Sequence, residues 1–149
     1  MTVLIDTSVL ARLANTKDAL HGVASGAIAK LHRQGDSLAV TAQVLVEFRN
    51  VATRPTNVNG LGHTAAQSEA KAAAFELQFS LLPETPDIFP AWKTIVDALG
   101  VIGKQVHDAR LVAVCHVHSV SQLLTFNLSH FVRLATVPPG VIILDPAKV

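Results

Sequence analysis

Short apolar runs alternate along the chain with segments of helical spacing. The β-branched and leucine run from Thr2 to Ile5 ends in the polar turn Asp6-Thr7-Ser8, and a helical pattern then begins. Similar apolar runs predict further strands at 37–40, 79–82, 122–126 and 141–144. Helical spacing predicts helices at 18–34, 41–53, 64–78, 89–99, 108–118 and 129–135. Apolar strands that alternate with helices favour a mainly parallel sheet covered on both faces.

The segment NVNGLG at 57–62 is the most loop-rich part of the chain. It precedes Thr64 and Gln67, whose spacing is that of a capping box at the start of a helix. Asn59 and the two glycines of this segment are open to two interpretations. They form either a mobile flap over a cleft or a plain connector between two helices.

Composition narrows the class of protein. The chain has 149 residues, half of them apolar and 15% charged, which predicts one compact domain over 1–149. One cysteine excludes a disulfide framework, and the absence of a signal peptide or a membrane-length apolar run favours the cytoplasm. A net charge of +1 excludes binding of nucleic acid through charge density alone. A mean hydropathy of +0.40 favours a homodimer, because one small globule does not easily hide so much apolar surface.

Three carboxylates carry the candidate chemistry. Asp6 ends the first predicted strand, where ligands bind in parallel sheets. Glu47 lies in the apolar run 44–48, where a carboxylate facing the core is costly unless it is paired or metal-bound, and Asp108 opens a predicted helix. Each has an ordinary alternative, as a helix cap or on a solvated helix face. Together they are the oxygen ligands from separate elements that a hard divalent cation requires.

Five sequence blocks in one order resemble a known family. They read VLIDTSVL at 3–10, VEFRNVATRP at 46–55, NGLG at 59–62, GKQVHDARLVAV at 103–114 and LLTFNLSHF at 123–131. The chain resembles the PIN-domain ribonucleases, and among them the VapC-type toxins of bacterial toxin–antitoxin pairs. The resemblance implies an α/β three-layer sandwich with a mainly parallel sheet flanked by helices. It also implies a metal-dependent endoribonuclease that hydrolyses RNA with Mg²⁺ or Mn²⁺, and an antitoxin protein as partner.

The same resemblance assigns roles to individual residues. Asp6, Glu47 and Asp108 match the acidic positions of the family that bind the metal. Ser8 matches a hydroxyl that hydrogen-bonds the metal cluster or its water. Asn127 matches the amide of the last block and completes the expected catalytic set.

The last block departs from the family pattern at one position. Relatives read T-x-N-x-x-D-F, and here His130 stands where the aspartate is expected. An amide oxygen from Asn127 contributes no charge, so the site is expected to hold its cation less tightly than a site with four carboxylates. This departure keeps a second function open: a catalytically weakened PIN domain that acts as an RNA- or protein-binding module.

Basic residues flank the acidic blocks. Arg49, Lys104 and Arg110 are candidates to receive RNA phosphates, with ordinary solvated charges as the alternative. A phosphotransfer enzyme also places an aspartate after an early strand. The dehalogenase-type phosphatases need a second aspartate where this chain has Ser8, which disfavours that class.

Overall fold

The computed structural model describes residues 1–149 as a five-stranded sheet between helices. The strands are β1 (Thr2–Ile5), β2 (Ser37–Thr41), β3 (Ser80–Leu82), β4 (Gln122–Leu124) and β5 (Ile142–Leu144). The helices are α1 (Thr7–Ala14), α2 (His21–Arg33), α3 (Ala42–Thr53), α4 (Ala65–Gln78), α5 (Ile88–Leu99), α6 (Gln105–Val117) and α7 (Leu128–Phe131). Short 3₁₀ turns follow at Thr56–Val58 and Leu134–Thr136.

The sheet is entirely parallel, with strand order β3-β2-β1-β4-β5. Val3 of the central strand β1 pairs with Leu38 on one side and with Gln122 on the other. Helices α1 to α4 pack among themselves, and α5 to α7 form a second group. The predicted α/β sandwich with a parallel sheet is therefore confirmed, and all carboxyl ends of the strands lie at one edge.

One continuous apolar core of 34 buried residues holds these layers together. The apolar positions of β1, Val3 to Ile5, are completely buried, as is expected of a central strand covered on both faces. Phe48 on α3 is also completely buried and meets Phe75 of α4 edge to face, with ring centroids 5.1 Å apart. None of the helices combines the length and apolarity needed to cross a lipid bilayer.

Two helix starts follow the sequence signals. The Thr41 hydroxyl accepts the Val44 amide at 3.0 Å and caps α3. At α4 the predicted capping box is confirmed: the Thr64 hydroxyl accepts the Gln67 amide at 3.1 Å, and the Gln67 side chain accepts the Thr64 amide at 2.9 Å.

Other boundaries differ from the prediction. Helix α6 begins at Gln105 rather than at Asp108, so the interpretation of Asp108 as a helix cap is wrong. Gly103, with φ at +62°, turns the chain toward this helix, which therefore starts three residues before the predicted position. Helix α2 begins at His21 rather than at residue 18, because the Asp18 carboxylate accepts the Leu20 amide at 2.8 Å in a local turn.

Candidate active site

Asp6 lies immediately after β1 and is only 5% exposed. Its amide donates to the Leu124 carbonyl at 3.0 Å, which ties it to β4. Its Oδ2 accepts hydrogen bonds from the hydroxyls of Ser8 and Thr125, both at 2.7 Å, and from the Ser8 amide at 3.3 Å. Asp6 thus caps α1, which was the alternative interpretation of this residue, but only its Oδ2 atom takes part in the cap. Its Oδ1 receives no hydrogen bond from the chain and is available to a ligand.

The two hydroxyls around Asp6 have their protons committed. Ser8 Oγ accepts the Phe126 amide at 3.1 Å, and Thr125 Oγ1 accepts the Asn127 amide at 2.9 Å. Each hydroxyl therefore uses its own proton as a donor to Asp6 Oδ2. The resemblance implied that the Ser8 hydroxyl contacts a metal cluster or its water. In the structure this hydroxyl donates to Asp6.

Glu47 is partly buried on α3, and each of its carboxylate oxygens accepts one hydrogen bond. Oε2 accepts the Thr7 hydroxyl at 2.9 Å, and Oε1 accepts the Gln43 side-chain amide at 3.0 Å. Because Thr7 follows Asp6 directly in the chain, its hydrogen bond brings Glu47 toward the first carboxylate.

Gln43 connects Glu47 to α6 through a chain of polar contacts. Its Nε2 also donates to the His107 carbonyl at 2.9 Å, and its Oε1 accepts from Arg110 at 3.2 Å. Arg110 in turn pairs with Glu84 at 2.6 Å. The Arg110 guanidinium, a candidate for phosphate binding, is thus engaged within the chain.

Asp108 lies in the first turn of α6 with a quarter of its side chain exposed. Burial and, after it, the negative charges of Asp6 and Glu47 raise the pKa of Asp108, against the lowering effects of His130 and His107, and the net result is a pKa of about 6. The Nδ1 atom of His130 is 3.6 Å from Asp108 Oδ2. Asp6 and Glu47 are therefore both close enough to repel Asp108, and His130 lies beside Asp108.

These residues surround a cleft of about 720 Å³. Its wall includes Glu47, Asp108, Asn127, His130 and Lys104, which the sequence had singled out, together with Thr7, Asn50, Arg54, Gln105 and His107. Asp6 and Ser8 flank Thr7 and are buried. Arg49 is exposed and does not line the cleft. The structure thus gathers most of the predicted site and leaves Arg49 outside it.

The donor chemistry of this cleft fits a hard divalent cation. Glu47 and Asp108 line it and the Asp6 charge acts on Asp108; the burial of Asp108 and its repulsion by these two charges, which together raise its pKa, are what a bound cation offsets. No three of the acidic, histidine and cysteine side chains stand close enough together to enclose an ion in this conformation. Asp6 Oδ1 and the Asp108 oxygens accept no hydrogen bond from the chain, and each Glu47 oxygen accepts one and keeps a second lone pair for a cation.

A family comparison settles the class of this chain. The PIN domain model matches residues 3–136. The chain belongs to the PIN-domain family. No curated protein is significantly similar to this PIN domain in sequence.

Solved structures share its fold. VapBC2 of Rickettsia felis, bound to a DNA fragment from its promoter, matches with a TM-score of 0.71 and 15% identity over 97% of this chain and 98% of its own. VapBC-1 of nontypeable Haemophilus influenzae matches with a TM-score of 0.72 and 17% identity over 99% of this chain and 100% of its own. VapC20 of Mycobacterium tuberculosis, a toxin that cleaves the sarcin–ricin loop, matches with a TM-score of 0.61 and 23% identity over 86% of this chain and 92% of its own.

Sequence reasoning missed several residues that shape this PIN-domain cleft. Thr125 is one of the two hydroxyl donors to Asp6, and its place beside β4 at the carboxyl edge of the sheet was a usable signal. Gln43 precedes Glu47 by four residues, a spacing that puts both on one face of a helix. Arg54 directly follows the helix predicted at 41–53 and was not among the candidate residues.

Proposed function

We propose that this PIN domain is a divalent-metal-dependent endoribonuclease and the toxin of a toxin–antitoxin pair. The observation that supports the proposal is that Asp108 and Glu47 line one cleft and that the charges of both Asp6 and Glu47 act on Asp108. The fold shared with VapC and VapBC structures supports the toxin class, and a cytoplasmic location agrees with an RNA substrate.

Asp6 and Asp108 are the residues that would hold a Mg²⁺ or Mn²⁺ ion most directly, with Glu47 as the third ligand. The bound ion supplies acidified water and a Lewis acid for the phosphate. Ser8 and Thr125 hold the Asp6 carboxylate in place through their hydrogen bonds to Oδ2. Asn127 lies in the cleft wall, where its amide is suited to orient water, and Lys104 is suited to attract a phosphate.

A binding module without cleavage is the second candidate function, and His130 favours it. The side chain at this position lies beside Asp108 and adds no negative charge to the cleft when neutral. With three carboxylates instead of four, the cleft attracts cations less strongly. RNA or a protein partner would then occupy the cleft without being cleaved.

Two protein partners belong to the proposal. An antitoxin is the first, supported by the shared fold with toxin–antitoxin complexes. A second copy of this chain is the other, supported by large apolar side chains that lie at the surface. Leu77, Ile102, Val46, Phe89 and Ile142 are each more than half exposed.

The test is cleavage of single-stranded RNA by the purified protein with Mg²⁺, Mn²⁺ or a chelator. We expect cleavage with metal, and its loss in Asp6→Ala. Glu76→Gln, an exposed carboxylate on α4, is the matched control and should cleave normally. Asp6→Ala with undiminished metal-dependent cleavage would refute the assignment, whereas a wild-type protein that binds RNA and does not cleave it would establish the binding module.

A further inference from the structure

Arg54 is a cleft arginine with no partner in the chain. It lines the same cleft as Glu47 and Asp108, yet its guanidinium makes no hydrogen bond or ion pair, and its buried Nε has no acceptor. Arg110, by contrast, is neutralised by Glu84. A buried guanidinium N–H without an acceptor is costly, so an unpaired arginine facing a cleft indicates a ligand that supplies acceptors.

The backbone of Arg54 is hydrogen-bonded at both its amide and its carbonyl. Its amide donates to the Asn50 carbonyl at 3.1 Å, and its carbonyl accepts the Gly62 amide at 2.9 Å. Pro55 restricts the preceding residue to extended backbone, and Arg54 has φ −65° and ψ 146°.

The 57–62 segment packs directly on Arg54. A side chain at Gly60 would overlap the carbonyl and Cβ of Arg54, so only glycine fits there. The Leu61 amide donates to the Val51 carbonyl at 3.1 Å, and the His63 amide donates to the Ala52 carbonyl at 2.8 Å. The segment is therefore a connector bound to the end of α3, and it fixes the point from which the Arg54 side chain extends.

We propose that Arg54 binds a phosphate of the RNA backbone and positions the strand in the acidic cleft. This inference rests on the proposed function, because it takes RNA as the substrate. Guanidinium suits the ligand, since its planar N–H groups match phosphate oxygens in pairs. It also suits the place, because a cation in the wall that holds Glu47 and Asp108 offsets the repulsion of a polyanion by these carboxylates. Because the NGLG connector holds the Arg54 backbone in place, the phosphate bound by Arg54 would have a defined position relative to the cleft.

The experiment measures RNA affinity apart from cleavage. Binding of a fluorescein-labelled single-stranded RNA dodecamer is followed by anisotropy in EDTA, from 50 to 200 mM KCl, with the Asp108→Asn chain as the common background. Arg54→Ala should weaken binding roughly tenfold, the effect of losing a charge-assisted hydrogen bond. It should also lower the slope of log K against log salt by about 0.7, the value for one phosphate contact on a single strand.

Three further variants sharpen the result. Arg54→Lys should keep the salt slope and lose only part of the affinity, because it keeps the charge without the paired N–H groups. Arg33→Ala, an exposed arginine at the end of α2, is the matched control and should change neither quantity. Gly60→Ala should weaken binding although Arg54 is present, with circular dichroism as the check on folding.

Two outcomes overturn the inference. One is an Arg54→Ala protein that matches Arg33→Ala in affinity and slope, and the other is the absence of RNA binding in the background chain. Wild-type cleavage is measured separately. Arg54-dependent binding by a protein that never cleaves would therefore refute the nuclease proposal alone, and cleavage with no role for Arg54 would refute this inference alone.

Discussion

Replacing Asp108 by asparagine should stabilise the metal-free protein, and more so at neutral than at acidic pH. The folded state raises the pKa of this carboxyl from 3.8 to about 6 through burial and through the charges of Asp6 and Glu47. The folded protein therefore binds this proton more tightly than the unfolded chain does. The resulting destabilisation is fully present above pH 6 and disappears as the pH falls below about 4.

The size of the effect follows from the same values. A difference of about two pH units between folded and unfolded chains corresponds to about 3 kcal/mol at pH 7.5, and to roughly half of that at pH 5. A quarter of the Asp108 side chain is exposed, so water screens part of the repulsion. We expect a measured gain of about 1–2 kcal/mol at pH 7.5. The substitution costs little, because His130 at 3.6 Å is the only polar partner of this carboxylate.

Urea unfolding in EDTA at pH 7.5 and pH 5 measures this directly. Glu76→Gln, an exposed carboxylate, is the control and should change the free energy of unfolding by less than about 0.5 kcal/mol at both pH values. A variant Asp108→Asn that is less stable than wild type at pH 7.5, or whose gain is the same at both pH values, would refute the conclusion that burial and the charges of Asp6 and Glu47 make ionised Asp108 destabilising.

Three other predictions address the site and the assembly. Gln43→Ala should reduce Mn²⁺ affinity and RNA cleavage by roughly tenfold with little loss of stability, because Glu47 loses the donor at 3.0 Å that orients it. Calorimetry measures the Mn²⁺ affinity, and gel assays measure the cleavage. His130→Asp should bind Mg²⁺ more tightly than wild type, since it adds a carboxylate beside Asp108, and equal affinities by calorimetry would mean that His130 has no part in the site. Light scattering at micromolar concentration should show a dimer, and a 15.8 kDa species alone would argue against it.

The strands and most helices were predictable because their signals are local. The Thr64–Gln67 capping box lies within four residues, and the apolar run of β1 reflects burial on both faces. The start of α6 was not predictable in the same way. Lys104 caps that helix without any side-chain hydrogen bond, so no favoured cap residue marks its true beginning, whereas Asp108 imitates one.

The acidic residues of the site were predictable from their chemistry, but their partners were not. Carboxylates in apolar surroundings stand out in a sequence because burying them unpaired is costly. Gln43 and Thr125 are uncharged and reach the site across 64 and 119 residues of chain, to His107 and Asp6 respectively. Local signals placed Gln43 on the helix face of Glu47 and Thr125 at the carboxyl edge of the sheet, but these particular contacts depend on how the layers dock.

The bond between Thr125 and Asp6 has a consequence for synthesis of the protein. The central strand β1 is made first, but its neighbour β4 begins only at Gln122, so Asp6 lacks one of its two hydroxyl donors until nearly the whole chain exists. Asp108 also arrives in the last third of the chain. A chain still emerging from the ribosome therefore carries an incomplete centre, and the cleft forms only when the final strands join the sheet.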